Sequence, residues 1–397
     1  MKIVSVDPFY LRMPKITLAA DGTQDTLLVR IQTDEGIEGW GECDASPLVS
    51  IAVYCCPMSH GNIINIRTSL IGETIDSPED ILRLSEKVLR NALDIQQIHH
   101  AYSGAEIALW DIIGKKLDKP IYRLLAEMTD TSETSHPKLP YASVLFGDTP
   151  ENTYQIAKGL QNKGYQAAKF GWGPIGKHGE DNDVSLVRAA REGMGNDNQI
   201  MIDAGVVWGT DYNTAFERAL AFSEFSPTWL EEPLAPDAID AYSSLKSKKP
   251  TVSIAAGEGS STYRMAEDII VNGGIDYVQI DAGRIGGIYP SFQVRLLAEQ
   301  TGIQYVNHTF KSHLSLAAAL HVFVTNPDFN LLEYPAAGSE LSECIVKNPF
   351  QIHTDGLVRI TDGPGLGVEI DTNRIKPYFT PVSIQADSET VFDQPSL

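Results

Sequence analysis

From about residue 138 the chain alternates short apolar runs with longer amphipathic stretches. The amphipathic stretches, such as ENTYQIAKGLQNKG and DYNTAFERALAFSEF, have the apolar spacing of helices. Strands that alternate with helices at this spacing are typical of parallel βα units, and eight such units fit a TIM-type barrel. The eight runs are PYASVLF (140–146), AAKF (167–170), IMIDA (200–204), TWLEEP (228–233), SIAAGE (253–258), YVQID (277–281), QYVNH (304–308) and NLLEYP (330–335).

The first part of the chain has a different pattern. Residues 26–42, TLLVRIQTDEGIEGWGE, predict two strands around an Asp-Glu-Gly turn, and helical patterns follow at 79–95 and 103–117. This order predicts an α+β domain over residues 1–130, followed by the barrel over residues 136–350. The strand-like LVRI and VEI, with the turn-rich DGPGLG between them, break the barrel rhythm. We therefore expect residues 351–397 to return to the N-terminal domain.

Composition indicates a globular protein and disfavours some classes of partner. The chain has 43% hydrophobic and 21% charged residues, which is typical of a globular protein. Its formal net charge of -21 disfavours nucleic acid and anionic membrane surfaces as partners. The four cysteines show no CxxC spacing, and no signal peptide or transmembrane segment is predicted. We therefore expect a cytoplasmic protein without a disulfide framework.

Polar residues end almost every predicted barrel strand. The carboxyl ends of barrel strands meet at one mouth, so these residues should share one pocket although they lie far apart in sequence. A single Asp at a strand end is more often a helix N-cap, but a set of charged side chains on successive strands needs another explanation. The residues are Lys169, Asp203, Glu231, Glu258, Asp281, His308 and Glu333.

The carboxylates on three neighbouring strands predict a metal site. Asp203, Glu231 and Glu258 would be buried together, and oxygen ligands alone favour a hard cation such as Mg²⁺. Glu232 should point to the opposite face of its strand, because side chains alternate along a strand.

These motifs resemble the mandelate racemase subgroup of the enolase superfamily across essentially the whole chain. The resemblance rests on MIDA, WLEEP, AAGE, QIDAGRIGG and VNH in the barrel, on IALWDIIGKK, and on the closing DGPGLGVEI. It implies an α/β fold, a modified TIM barrel (β/α)7β. An α+β capping domain, formed by the N-terminal region and the C-terminal tail, would close over this barrel.

The resemblance also implies roles for the strand-end residues. The three carboxylates would bind one Mg²⁺ per active site, and Asp281 and His308 would form a catalytic dyad. Glu333 would contact the substrate carboxylate or enolate. His308 would then remove the proton α to a carboxylate, with Asp281 fixing its tautomer. His313 and His321 lie on the following helical segment and are better interpreted as packing or capping residues.

One departure from the subgroup bears on the reaction. Many members carry Lys-x-Lys at the end of the second strand, and the second lysine is a base opposite the histidine. Here the sequence is Lys169, Phe170 and Gly171. The second base is therefore missing, and Lys169 is expected to hold the substrate carboxylate. Gly171 should leave space on the inward face, which Trp172 would fill as a substrate-binding residue. Packing within the loop is the alternative role of Trp172, because it stands among Gly and Pro residues.

A single base favours dehydration over racemisation. One histidine can remove the α-proton and protonate a β-hydroxyl on the same face, whereas a racemase normally needs two bases. The prediction is a carbon–oxygen lyase that converts a sugar acid to a 2-keto-3-deoxy acid. A lactone cycloisomerase, a racemase or epimerase, and a barrel without catalytic activity are the alternatives. We also expect a homo-oligomer and substrate contacts from residues 14–25 and 45–62.

Overall fold

A computed structural model of the chain describes residues 1–17, 24–58, 63–327 and 330–397. Its strands are β1 (Ile3–Arg12), β2 (Asp25–Thr33), β3 (Glu38–Cys43), β4 (Leu139–Leu145), β5 (Ala167–Gly171), β6 (Gln199–Asp203), β7 (Leu230–Glu231), β8 (Ile254–Ala256), β9 (Tyr277–Ile280), β10 (Gln304–Asn307), β11 (Leu331–Tyr334), β12 (Ser383–Ala386) and β13 (Glu389–Asp393).

Helices lie between these strands, and those at 78–91, 98–117, 150–162 and 212–222 match predicted amphipathic stretches. The helices are α1 (Pro47–Cys55), α2 (Ile66–Leu70), α3 (Pro78–Asn91), α4 (Ile98–Leu117), α5 (Ile121–Thr129), α6 (Pro150–Asn162), α7 (Glu180–Met194), α8 (Tyr212–Phe222), α9 (Ile239–Ser247), α10 (Tyr263–Asp268), α11 (Ile288–Thr301), α12 (His313–Phe323), α13 (Glu340–Cys344) and α14 (Thr372–Ile375).

Strands β4 to β11 form one parallel sheet in the order β11-β4-β5-β6-β7-β8-β9-β10, which confirms the predicted barrel. Each of the eight apolar runs contributes one strand. The two end strands are joined through a side chain, because the Asn307 amide donates to the backbone oxygen of Glu333 at 3.1 Å and accepts from its backbone nitrogen at 2.9 Å. The barrel interior is filled by apolar side chains from alternate strand positions. They include Tyr141, Met201, Trp229, Ala255 and Val306.

The N-terminal domain is an antiparallel sheet packed on α4. Strands β1, β2 and β3 form the sheet, and Gly36 in the turn between β2 and β3 has a φ of 80°. Helix α4 crosses β3 so closely that a Cβ at Gly41 would lie 2.0 Å from the Gly104 backbone oxygen. The sheet and the helix therefore need glycine at this crossing.

Carboxylates of this domain attach it to the barrel. Glu106 of α4 accepts hydrogen bonds from the backbone nitrogens of Ile288, at 2.6 Å, and Tyr289, at 3.0 Å, at the start of α11. Glu42 of β3 accepts from the Ser315 hydroxyl at 2.8 Å, in the first turn of α12. Helix N-termini bind negative groups because their first amides lack partners within the helix. Carboxylates of the N-terminal domain thus bind the N-termini of two barrel helices, which attaches this domain to the barrel.

The tail returns to the N-terminal domain. The Leu366 nitrogen donates to Asp111 of α4 at 3.0 Å, and the Thr380 nitrogen donates to the Tyr10 oxygen of β1 at 2.9 Å. The prediction of strand-like LVRI and VEI segments was wrong. These segments make only isolated bridges, Val358 with Lys138 and Ile370 with Val346.

Some predictions are not tested by the fold. The exact domain limits remain predictions, as do the cytoplasmic location and the homo-oligomer. The proposed substrate loops, 14–25 and 45–62, include residues 18–23 and 59–62, which lie outside the described residues. Across the described part of the chain, no helix combines the length and apolar character needed to cross a membrane.

The contact between β3 and α4 can be tested by adding one methyl group. Gly41→Ala should lower the free energy of unfolding by about 1–3 kcal/mol, because the new Cβ overlaps the backbone of α4. Gly159→Ala is the control, since a Cβ there meets nothing within 4 Å. It lies inside α6 and should raise stability by about 0.5–1 kcal/mol through helix propensity. Urea unfolding of both variants measures the difference, and equal stabilities would contradict the close packing.

Candidate active site

All seven predicted strand-end residues lie at or near the carboxyl ends of the barrel strands. Asp203 and Glu231 are the last residues of β6 and β7, and they are paired in register. Glu258 lies two residues beyond β8, while Asp281 and His308 directly follow β9 and β10. Direct contacts connect six of the seven, as the pairs Lys169–Glu231, Lys169–Glu333, His308–Glu258 and His308–Asp281.

Lys169 is held between two carboxylates. Its Nζ forms ion pairs with Glu231 and, at 2.8 Å, with Glu333, and its side chain is 3% exposed. Burial alone would lower the pKa of Lys169, but Glu231 and Glu333 outweigh burial and hold that pKa well above its ordinary value. Glu333 also accepts from the Thr309 nitrogen at 2.7 Å. Lys169 is therefore a fixed cation in this arrangement.

His308 and Asp281 are placed as a dyad. The His308 Nδ1 lies 2.8 Å from Asp281 Oδ2, and Asp281 Oδ1 accepts from the Gly283 nitrogen at 2.6 Å. The other ring nitrogen, Nε2, faces Glu258 Oε2 at 3.3 Å. Burial alone would lower the pKa of His308, but Glu258, Glu333 and the bond to Asp281 raise it to about 9. The arrangement leaves Nε2 as the nitrogen that can exchange a proton with a substrate.

The three predicted metal ligands are carboxylates that repel one another, although their ligand oxygens do not all lie within 4.8 Å of one another. Burial, reinforced by repulsion from Glu258 and opposed by Lys169, raises the pKa of Asp203 to about 6. Burial and the neighbouring carboxylates raise the pKa of Glu231 to about 8, again against Lys169. Burial would also raise the pKa of Glu258, but His308, Arg284 and Lys169 lower it to about 2. A divalent cation bound by these oxygens would relieve the repulsion, so the donor set fits Mg²⁺.

The direction of the Glu232 side chain stays a prediction, because Glu232 follows the end of β7 and interacts with both the barrel-mouth carboxylates and Tyr242 of α9. Glu232 is 6% exposed, its Oε1 has no hydrogen-bond partner, and its φ is 38°. Burial, together with repulsion from Glu258, Asp203 and Glu231, raises its pKa well above the ordinary value. Glu232 therefore adds to the excess of carboxylates at the barrel mouth.

A second group of possible ligands lies beside the predicted one. Within the described part of the chain, Asp44, Asp281 and His308 are the group whose ligand atoms all lie within 4.8 Å of one another. Asp44 is already paired with Arg284 at 2.6 Å and Lys311 at 3.4 Å. A cation at this position would face both basic side chains. The charge distribution therefore favours Asp203, Glu231 and Glu258 as the metal ligands.

The space predicted beside Gly171 is taken by Asp203. A Cβ on Gly171 would lie 2.8 Å from both Cβ and Oδ2 of Asp203, so the expectation that Trp172 fills this space was wrong. Trp172 is 54% exposed, and its ring lies against Gly205 instead. Its role in substrate binding stays a prediction.

The histidines on α12 pack as expected, and two other residues were missed. His321 accepts from the Tyr122 nitrogen at 3.2 Å, and His313 stacks on Phe350. The missed residues are Arg284, which donates to Glu258 Oε1 at 3.3 Å, and its partner Asp44. Arg284 stands within the QIDAGRIGG motif, which gave a signal for its place. Asp44 gave none, because its contact depends on how the two domains dock.

The fold and the residues at the barrel mouth agree with a known family. Residues 2–126 match the mandelate racemase / muconate lactonizing enzyme, N-terminal domain family, and residues 153–374 match the enolase C-terminal domain-like family. The chain belongs to the mandelate racemase subgroup of the enolase superfamily. Enzymes of this superfamily use Mg²⁺, in agreement with the oxygen-rich donor set.

Relatives within the superfamily carry different activities. The crystal structure of a predicted mandelate racemase from Rhodobacter sphaeroides has a TM-score of 0.94 and 41% identity over 99% of both chains. An N-succinyl-L-Arg/Lys racemase of Bacillus cereus is 28% identical over 95% of this chain and 97% of its own. A D-galactarolactone cycloisomerase of Agrobacterium fabrum is 28% identical over 89% of this chain and 91% of its own. An L-talarate/galactarate dehydratase of Salmonella typhimurium is 28% identical over 77% of this chain and 74% of its own.

The excess of carboxylates predicts how stability depends on pH. In protein treated with a chelator, Asp203, Glu231 and His308 have raised pKa values. The folded state then keeps protons that the unfolded chain releases, so stability should fall as pH rises from about 5 to about 8. Mg²⁺ should raise the melting temperature more at about pH 8 than at about pH 5, where protons compete with it.

Thermal unfolding with a chelator and with excess Mg²⁺ measures both effects. Glu231→Gln is the matched control, because it removes one titrating carboxylate of similar shape and should flatten the pH dependence in the chelator. A melting temperature in the chelator that stays constant or rises between about pH 5 and pH 8 would contradict this account of the site.

Proposed function

We propose that this protein dehydrates a sugar acid to a 2-keto-3-deoxy acid, with Mg²⁺ held by Asp203, Glu231 and Glu258. The observation that supports this most strongly is the asymmetry of the bases. His308 has a ring nitrogen available for proton exchange, while Lys169 is clamped by Glu231 and Glu333. Gly171 stands where a second lysine would otherwise lie. One base on one face suits elimination better than racemisation.

Proton removal requires stabilisation of the negative charge that develops on the substrate carboxylate. Bound Mg²⁺ would supply this as a Lewis acid. Lys169 would add a fixed positive charge beside Glu231, and Glu333 would hold Lys169 in place. A buried cation acts strongly here because water is excluded and the side chain is already oriented.

His308 would act twice in the reaction. Its Nε2 first takes the α-proton, and the electron pair of the C–H bond becomes that of the enolate. Asp281 stabilises the imidazolium that results, because it accepts a hydrogen bond from Nδ1. The imidazolium then gives a proton to the β-hydroxyl as the C–O bond breaks and water leaves. The enol product becomes the 2-keto acid.

The relatives support the substrate class and define the alternatives. The dehydratase of Salmonella acts on sugar acids by its name, while the other two relatives are a racemase and a cycloisomerase. Cycloisomerisation also needs a single base, so it is the second candidate. Racemisation would need Lys169 to be released from its two carboxylates. Screening mono- and diacid sugars and their lactones for 2-keto product, with Mg²⁺ and with chelator, separates dehydration from cycloisomerisation.

The role of Lys169 as a carboxylate-binding cation predicts the effect of removing its charge. Lys169→Met should lower kcat/KM by at least about a hundredfold, with KM raised and kcat lowered, because positive charge is lost where the enolate develops. Steady-state kinetics on a sugar acid found in the screen measures this. A fall in kcat/KM below about threefold would mean that Lys169 does not stabilise the transition state.

The single-base proposal predicts the behaviour of His308. His308→Asn should lose both dehydration and exchange of the α-hydrogen, and Asp281→Asn should slow both by several orders of magnitude because the imidazole tautomer is no longer fixed. The assay follows the α-hydrogen by proton NMR in D₂O with Mg²⁺. His353→Asn is the control, since His353 is exposed and its backbone pairs with Leu357 and Gly356. Exchange in His308→Asn at the wild-type rate would reveal a second base and favour the racemase.

A further inference from the structure

Asp44 connects the capping domain to the catalytic dyad by two separate routes. Through the backbone, its nitrogen donates to the Gly283 oxygen at 3.0 Å, and the Gly283 nitrogen donates to Asp281 at 2.6 Å. Through side chains, its Oδ2 accepts from Arg284 Nε at 2.6 Å. The two routes close into a ring of contacts, which we call the Asp44 ring. Its members are Asp44, Gly283, Asp281, His308, Glu258 and Arg284.

Arg284 makes the second route continuous. Its Nη1 donates to both the backbone oxygen of Glu258, at 3.2 Å, and its Oε1, at 3.3 Å. The other carboxylate oxygen of Glu258 faces His308 Nε2 at 3.3 Å. A planar guanidinium fixes the directions of its bonds, so Asp44 and Glu258 are held in one geometry. The position of Glu258 therefore depends on a carboxylate from the other domain.

The Asp44 ring is tight and nearly closed to solvent. The Asp44 side chain is 8% exposed and the Arg284 side chain 19%. A Cβ on Gly283 would lie 2.9 Å from the Asp44 nitrogen and 3.0 Å from Asp281 Oδ1, so only glycine fits there. Lys311 adds a second cation, 3.4 Å from Asp44 Oδ1. The packing leaves Arg284 few other positions while Asp44 is present.

We propose that Asp44 is a positioning residue of the active site, which sets the orientation of Glu258 and His308 through Arg284 and Gly283. The proposal rests on the proposed roles of Glu258 in metal binding and of His308 as base. It means that the barrel does not hold its catalytic geometry alone. Docking of the capping domain completes it, in addition to covering the substrate.

Glu106 provides the matched comparison. It is also a buried carboxylate of the capping domain, and it too binds the barrel, at the first amides of α11. It also accepts from Trp110 within its own helix, and none of these partners belongs to the Asp44 ring. Glu106→Gln should therefore weaken domain docking without altering the metal site. Asp44→Asn should alter both, because an amide of the same shape no longer pairs with the Arg284 charge.

The test is Mg²⁺ binding to chelator-treated full-length protein, measured by isothermal titration calorimetry. Asp44→Asn should weaken Mg²⁺ affinity by at least about tenfold. The Mg²⁺ affinity of Glu106→Gln should stay within about threefold of wild type, even if its melting temperature falls further than that of Asp44→Asn. Asp44→Glu, which keeps the charge, should recover part of the affinity. Arg284→Lys is a second variant that preserves charge but cannot reach Asp44 and Glu258 together, so it should weaken affinity as Asp44→Asn does.

A kinetic readout separates positioning from stability. With a sugar acid found in the screen, Asp44→Asn should lower kcat for α-hydrogen exchange by at least about tenfold at saturating Mg²⁺, with KM nearly unchanged. Mg²⁺ affinities of Asp44→Asn and Arg284→Lys within about threefold of wild type would overturn the proposal while leaving the proposed function intact. Wild-type protein that binds no Mg²⁺ would overturn the proposed metal site itself, and this proposal with it.

Discussion

The structure is organised around carboxylates that gather at one end of the barrel without enough cations. The carboxylates outnumber the basic side chains that contact them, which are Lys169, Arg284, Lys311 and His308. Ions of like charge in a poorly solvated pocket repel one another strongly, and removing each from water costs several kcal/mol. Such an arrangement is tolerated when a bound cation is part of it. A cation bound there would account for the placement of the surrounding residues.

The same constraint divides the site into two halves. On one side, Lys169 neutralises Glu231 and Glu333 and is itself immobilised as a cation. On the other side, His308 lies between Asp281 and Glu258, where it can hold a proton and release it. Lys169 therefore keeps its charge, whereas His308 can gain and lose a proton. This difference supports a reaction in which protons move on one face of the substrate only.

Much of this could be predicted from the sequence because barrel strands carry a simple signal. Seven of the eight apolar runs carry a polar residue at or near their end. Parallel strands bring such ends together, so the sequence predicts the positions of Asp203, Glu231, Asp281 and His308 without knowledge of the helices. Strand alternation is a weak guide to Glu232, because this residue follows the end of β7 and has a φ of 38°. Gly171 was misinterpreted because the neighbouring strand, which carries Asp203, fills the space beside it. Asp44 could not be predicted, because contacts made by domain docking leave no periodic pattern in the sequence, whereas Arg284 stands in the QIDAGRIGG motif.

Crystals soaked with Mn²⁺, which takes oxygen ligands of the same kind, would test the central claim most directly. Anomalous diffraction locates the ion independently of any assumption about the site. The account predicts one strong peak coordinated by Asp203, Glu231 and Glu258. Glu258 would then bind the ion in place of its present contact with His308 Nε2. A peak among Asp44, Asp281 and His308, or none at the barrel mouth in crystals that admit the ion, would contradict it.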